Sequence, residues 1–108
     1  MHFWAAKKRA LITWKMREAY YSMPGLERLK LGLSIHEMLR AEMDAGLYTD
    51  HGSKPNGGEG YAIFEGTETQ LNESLSKYTA YIYFETTPVV SQTYVHESLK
   101  KRLTTVQK

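Results

Sequence analysis

GYAIFEGTETQLNESLSKYTAYIYFETTPVV, residues 60–90, sets two apolar runs on either side of one short amphipathic segment, and neither run has a clean polar face. Successive strand side chains alternate between faces. Along the first run Tyr61 and Ile63 therefore point one way and Ala62 and Phe64 the other; along the second, Tyr81 and Tyr83 oppose Ile82 and Phe84. Both faces of both runs read as apolar. Between the runs, Thr67 and Gln70 have the spacing of a capping box, and Leu71, Leu75 and Tyr78 at i, i+4 and i+7 make the apolar stripe of a short helix. The stretch reads as strand, helix, strand. The last strand runs from Tyr81 to about Val90, and Pro88 puts its end at an edge or bulge, since proline lacks the donor a ladder needs.

Working outward, residues 9–17 (RALITWKMR) suit a strand whose Ile12, Trp14 and Met16 share one face. Pro24 and Gly25 break the chain, and a helical composition fills residues 25–45. Within it Leu26, Leu29 and Leu33 fall on one face and Ile35, Met38 and Leu39 on another. The helix is then either buried on two sides or interrupted near Gly32 with Ser34 as a new N-cap; we favour one continuous or slightly kinked helix. Gly46 suits its C-terminal cap. Pro55, Asn56, Gly57 and Gly58 supply hairpin chemistry ahead of the run that starts at Tyr61.

The order β, α, β, β, α, β predicts an α+β, ferredoxin-like fold with both helices on one face of a four-stranded antiparallel sheet. The opposite face needs a cover of its own, because a large apolar patch is uncommon on a soluble monomer. A second copy is the natural cover, giving a homodimer through the open sheet face. Each large side chain buried there contributes about 1.5–3 kcal/mol, and four or five per subunit would offset the entropy of association. The alternative is a monomer whose tyrosines stand in water by their polar tips.

A chain of 108 residues fits one domain, and at this size roughly 65% of the unfolded surface is buried on folding. The domain spans residues 9–91, with a flexible or partner-packed leader at 1–8 carrying Phe3 and Trp4, and a basic tail at 92–108 with the makings of a short helix. There is no cysteine, which excludes disulfides, thiolate zinc sites and cysteine nucleophiles and fits a reducing cytoplasm. Fourteen Lys and Arg against twelve Asp and Glu leave a net charge of +2, far from the balance of a dedicated nucleic-acid domain. Lys7, Lys8 and Arg9 interrupt the first apolar residues before they approach membrane-span length, so no membrane partner is expected.

Among the ionisable residues, His36, His51 and His96 show neither an HxH pair nor HExxH, and no metal or other cofactor is expected. His51 approaches the glycine-rich turn, where an imidazole can act as a general base; a turn histidine without a task is the plainer reading. Glu65 and Glu85 end apolar runs, and a carboxylate there becomes a base if desolvation raises its pKa. Glu85 leads because it shares a face with Tyr81 and Tyr83. The candidate catalytic groups are thus His51 and Glu85, with Trp14, His36, Tyr61 and Tyr83 as pocket residues. SKPNGGEG lacks the lysine and Ser/Thr spacing of a phosphate loop and is a turn.

GYAIFEG, TETQLNESLSKY and YIYFETTPVV, preceded by ITWK, ERLKLGLSIHEML and DAGLYTDHG, together resemble the dimeric α/β-barrel superfamily over roughly residues 10–91. The nearest likeness is to its small members of unknown function, and a more distant one is to the muconolactone isomerases. The resemblance implies two ferredoxin-like sheets packed face to face into a barrel, with a pocket between each sheet and its own helices. His51 stands where such relatives tend to carry an aromatic residue before glycine. The catalytic set of the isomerases does not carry over, so the resemblance implies a fold and a dimer and selects no reaction. Two functions follow: a homodimer that binds or acts on a small hydrophobic or aromatic molecule by acid/base chemistry, or a non-catalytic ligand-sensing or protein-interaction module.

Overall fold

The computed structural model describes residues 7–107, so most of the expected leader, Phe3 and Trp4 included, lies outside the described residues. Its elements are β1 (Lys8–Met16), α1 (Glu18–Tyr21), α2 (Gly25–Asp44), β2 (Tyr48–Ser53), β3 (Glu59–Gly66), α3 (Glu68–Ser76), β4 (Ile82–Val89) and α4 (Gln92–Val106). The strands form one four-stranded sheet in the order β2-β3-β1-β4, and every neighbouring pair is antiparallel. The architecture is α+β. Among the described residues no helix is long and apolar enough to cross a membrane.

Local chemistry explains the element ends. α2 is one uninterrupted helix, with no break at Gly32. It closes in a Schellman arrangement: Gly46 N–H donates to Met43 O at 2.9 Å and Leu47 N–H to Glu42 O at 3.0 Å. Gly46 takes φ 84°, a left-handed conformation that residues with a side chain rarely adopt. α3 starts in the expected capping box, Gln70 N–H donating to Thr67 Oγ1 at 3.1 Å and Thr67 N–H to Gln70 Oε1 at 2.9 Å. β4 begins at Ile82, one residue later than expected, because Tyr81 belongs to a turn in which both Tyr81 N–H and Ile82 N–H donate to Tyr78 O. Pro88 sits in β4, an edge strand, where a missing donor does least harm to the ladder.

One face of the sheet carries the core. Ala10 and Ile12 of β1, Tyr48 of β2, and Ala62 and Phe64 of β3 are buried, and Leu39 and Met43 of α2, Leu71 and Leu75 of α3, and Phe84 of β4 pack against them. α2 is therefore covered on one side only: Leu26, Leu29 and Leu33 are exposed at 66%, 73% and 62%.

The open face is less apolar than alternation in β3 and β4 alone suggested. Leu11 and Ile63 pair across β1 and β3 at its centre, with Tyr61 and Tyr83 nearby. Thr13 pairs with Tyr61 and Glu85, Lys15 pairs with Tyr83, and the Arg9–Glu65 ion pair spans 3.6 Å. The result is a small apolar centre in a charged frame, because β1 turns Thr13 and Lys15 outward when it turns Ile12 and Trp14 inward.

The basic tail forms a full helix rather than a short one. Ser91 caps α4, its Oγ accepting from Tyr94 N–H at 3.1 Å. No residue of α4 is buried, and Tyr94, Leu99 and Leu103 stand well exposed. The chain measures 66 × 33 × 21 Å with a radius of gyration of 17.8 Å, against about 13 Å for a compact chain of this length.

Candidate functional site

The position of His51 depends on one extra residue in β2. Tyr48 pairs with Phe64 and Asp50 with Ile63, so Thr49 has no partner of its own on β3 and forms a bulge. In an unbroken strand, residues three apart point to opposite faces; a bulge resets the alternation. Tyr48 and His51 consequently both line the helix side of the sheet, whereas Asp50 faces outward and accepts from the Tyr61 hydroxyl at 2.9 Å. Across from β2, α2 presents Ile35, His36 and Leu39 to the same space, and the rings of His36 and His51 lie edge to face, 6.1 Å apart between centroids.

These two imidazoles flank a cavity of about 230 Å³ between the sheet and helices α2 and α3. Its walls are apolar, with Ile12, Leu39, Leu75, Ile82 and Phe84 as the main aliphatic and aromatic surfaces and Trp14 at the end of β1. Gly60 makes room for Trp14: a Cβ there would lie 2.5 Å from the indole ring. Burial grades along the cavity. Ile12, Tyr48, Tyr78 and Ile82 are buried, His51 is half-buried, and His36 and Ser53 are exposed, so the imidazoles stand at the end that reaches solvent.

Behind the closed end lies a buried polar cluster. Glu42, 7% exposed, accepts from the Tyr78 hydroxyl at 2.5 Å and from Lys77 Nζ at 3.3 Å. The Tyr48 hydroxyl shares a hydrogen bond of 2.7 Å with Ser74 Oγ. Every buried side-chain polar atom among the described residues has a partner, which is what a buried carboxylate requires. Burial first, and then the Glu42 carboxylate, push the Tyr78 phenol well above its usual range. Burial also raises Tyr48, against the opposing effect of Ser74.

The cluster ties α2 to the turn after α3, and two measurements check it. Replacing Glu42 by Ala leaves the Tyr78 hydroxyl buried without an acceptor and is expected to cost about 1–3 kcal/mol in urea unfolding, with Glu42→Gln milder. The second is alkaline stability. A phenol whose folded pKa lies above its unfolded value of about 10 contributes stability that is complete below pH 10 and is lost as pH rises towards the folded value. The melting temperature should fall between about pH 10 and 12 more steeply for the native chain than for Tyr78→Phe; equal slopes would contradict the assignment.

The residues expected to share a site divide between the two faces. Trp14, His36 and His51 come together at the internal cavity. Tyr61, Tyr83 and Glu85 lie along a shallow groove on the open face, where the side chain of Lys15 stands 5.6 Å and that of Arg17 5.5 Å from the centre of the Tyr83 ring. Among the described residues Trp14 and Ser53 line both. His96 lies on α4, apart from either group. Sequence reasoning did not single out Glu42, Tyr48 or Ser74; Tyr78 stood in the α3 stripe as a core residue, with no sign of its hydroxyl's partner. Among the described residues no three His, Asp or Glu side chains are grouped so as to hold a metal ion. No protein-family model matches the chain, and no curated protein matches it at a significant level.

Proposed function

We propose that this chain is a ligand-binding protein of ferredoxin-like topology that takes a small hydrophobic or aromatic molecule between its sheet and helices, with His51 as the acid/base group beside it, and that it pairs through its open sheet face. The carrying observation is the apolar cavity with two imidazoles at its solvent end. An apolar cavity of about 150 Å³ accepts benzene, so the volume here suits one or two rings. The topology is supported by the sheet order taken from its other edge, β4-β1-β3-β2. That order places β1 and β3 at the centre and separates β1 from β2, as a split βαβ arrangement does. Pairing is supported by the apolar centre of the open face.

Methyl NMR tests the binding site on the full chain. Titration with 2-naphthylmethanol should shift the methyl signals of Ile12, Leu39, Leu75 and Ile82, which line the cavity, and leave those of Leu11 and Ile63 on the opposite face near their starting positions. Shifts confined to Leu11 and Ile63 would move the site to the open face and remove His51 from it.

The other reading is a non-catalytic interaction module. It draws on the exposed stripe of α4, in which Val95, Leu99, Leu103 and Val106 lie along one side, flanked by Lys100 and Arg102. That reading gains if truncation after Ser91 abolishes capture of a partner protein while leaving naphthylmethanol binding intact.

A further inference from the structure

We infer that the occupant of the cavity is an organic acid, with an apolar body of one or two rings inside and a carboxylate held between the imidazoles of His36 and His51. This deepens the binding reading above and rests on it.

The charge inventory of the walls carries the inference. Among the described residues no Asp, Glu, Lys or Arg lines the cavity. β1, β3, β4 and α3 contribute only apolar side chains to it, leaving four titratable groups: His36 from α2, His51 from β2, Tyr48 from β2 and Tyr78 from the turn after α3. The two phenols are engaged elsewhere, Tyr48 with Ser74 and Tyr78 with Glu42, and their burial keeps them neutral. The nearby carboxylate, Glu42, is already satisfied by Tyr78 and Lys77.

A ligand cation would therefore leave water and find no counter-charge in the walls, at a desolvation cost that nothing repays. An anion meets two groups that carry N–H donors in either protonation state and positive charge when protonated. Hydrogen bonds to an ionised partner are about twice as strong as neutral ones. The rings stand 6.1 Å apart between centroids and 74° from parallel, a separation that one carboxylate bridges with two N–H···O bonds of about 2.8 Å. Both rings lie at the end that reaches solvent, so the charged group need not cross the apolar interior. The Thr49 bulge completes the arrangement, because without it His51 would face away from His36.

Three probes with one body and different charge test this: 2-naphthoate, 2-naphthylmethanol and 2-naphthylmethylammonium, titrated into the full chain at about pH 6, with the cavity methyl signals as readout. Naphthoate is expected to bind at least tenfold more tightly than the alcohol, and the ammonium most weakly. In His36→Gln/His51→Gln, which cannot take a proton at either position, the ratio of acid to alcohol affinity should fall below about threefold; His51→Gln alone gives an intermediate ratio and serves if the double variant loses its native spectrum. Equal affinities for all three probes, or a tenfold acid preference that survives in the variants, would overturn the inference while leaving the cavity as a binding site. If none of the three moves the cavity methyls, the binding reading itself falls.

Discussion

Replacing Phe64 by Ala should lower the free energy of unfolding by about 3–5 kcal/mol, read as a drop in the urea midpoint at unchanged slope. Phe64 is 1% exposed and stands at the centre of the sheet's covered face, its ring 5.5 Å from that of Tyr48 in an edge-on arrangement. β3 is flanked by β1 and β2, so the side chain has little freedom to rotate away and the hole left by Ala has little means of collapsing. An aromatic pair of this kind adds about 0.5–1.5 kcal/mol beyond the area it buries. Since domains of this size are stable by only about 5–15 kcal/mol in total, the variant should be marginal at room temperature. A loss under about 1 kcal/mol would mean that the covered face is loosely packed and that the cavity is one void among several.

The second large effect is on assembly. If two copies pair through their open faces, Ile63→Glu should raise the dimer dissociation constant at least a hundredfold, about 2.7 kcal/mol, because it places a charge opposite the apolar centre of the partner sheet. Light scattering should find the native chain near twice 12.4 kDa and the variant near once. Ile63 and Tyr83 are the residues to change. Phe84, one position along from Tyr83, packs on the covered face, and a charge there would unfold the protomer before it said anything about pairing. A native chain that scatters as a monomer would refute the pairing while leaving the cavity untouched. α4 does not stand in as a cover within the chain, since all of its apolar residues are exposed.

Much of the fold was legible locally. The alternation of Tyr61 to Phe64 separated Tyr61 and Ile63 from Ala62 and Phe64, as β3 does, because a strand's period of two holds wherever no residue is inserted; with both pairs apolar, it did not say which pair the helices cover. The extent of α2 and the start of α3 were legible for the same reason. Gly46 and the Thr67/Gln70 pair act on backbone groups within a few residues, and their chemistry does not depend on the rest of the molecule. Three of the candidate site residues, Trp14, His36 and His51, do come together. Glu85, Tyr61 and Tyr83 do not join them, because the sheet itself separates the two sets.

What the amino-acid sequence determined by itself was the order of the four strands and of helices α2 and α3, with the phase of each regular segment, since these follow from interactions between near neighbours; α1 was not anticipated. Three things were decided only by tertiary structure. The Thr49 bulge turned His51 inward, and whether a bulge forms in β2 depends on how that strand aligns with β3, which no residue within TDHG specifies alone. Burial of Glu42 depends on Tyr78 and Lys77, more than thirty residues further along the chain, supplying its hydrogen bonds; an isolated glutamate at that helix position reads as solvent-facing. Finally, α4 shows a packing stripe at helical spacing and yet stands exposed, because an amphipathic pattern fixes which side of a helix seeks cover and leaves the partner to be supplied by the rest of the assembly.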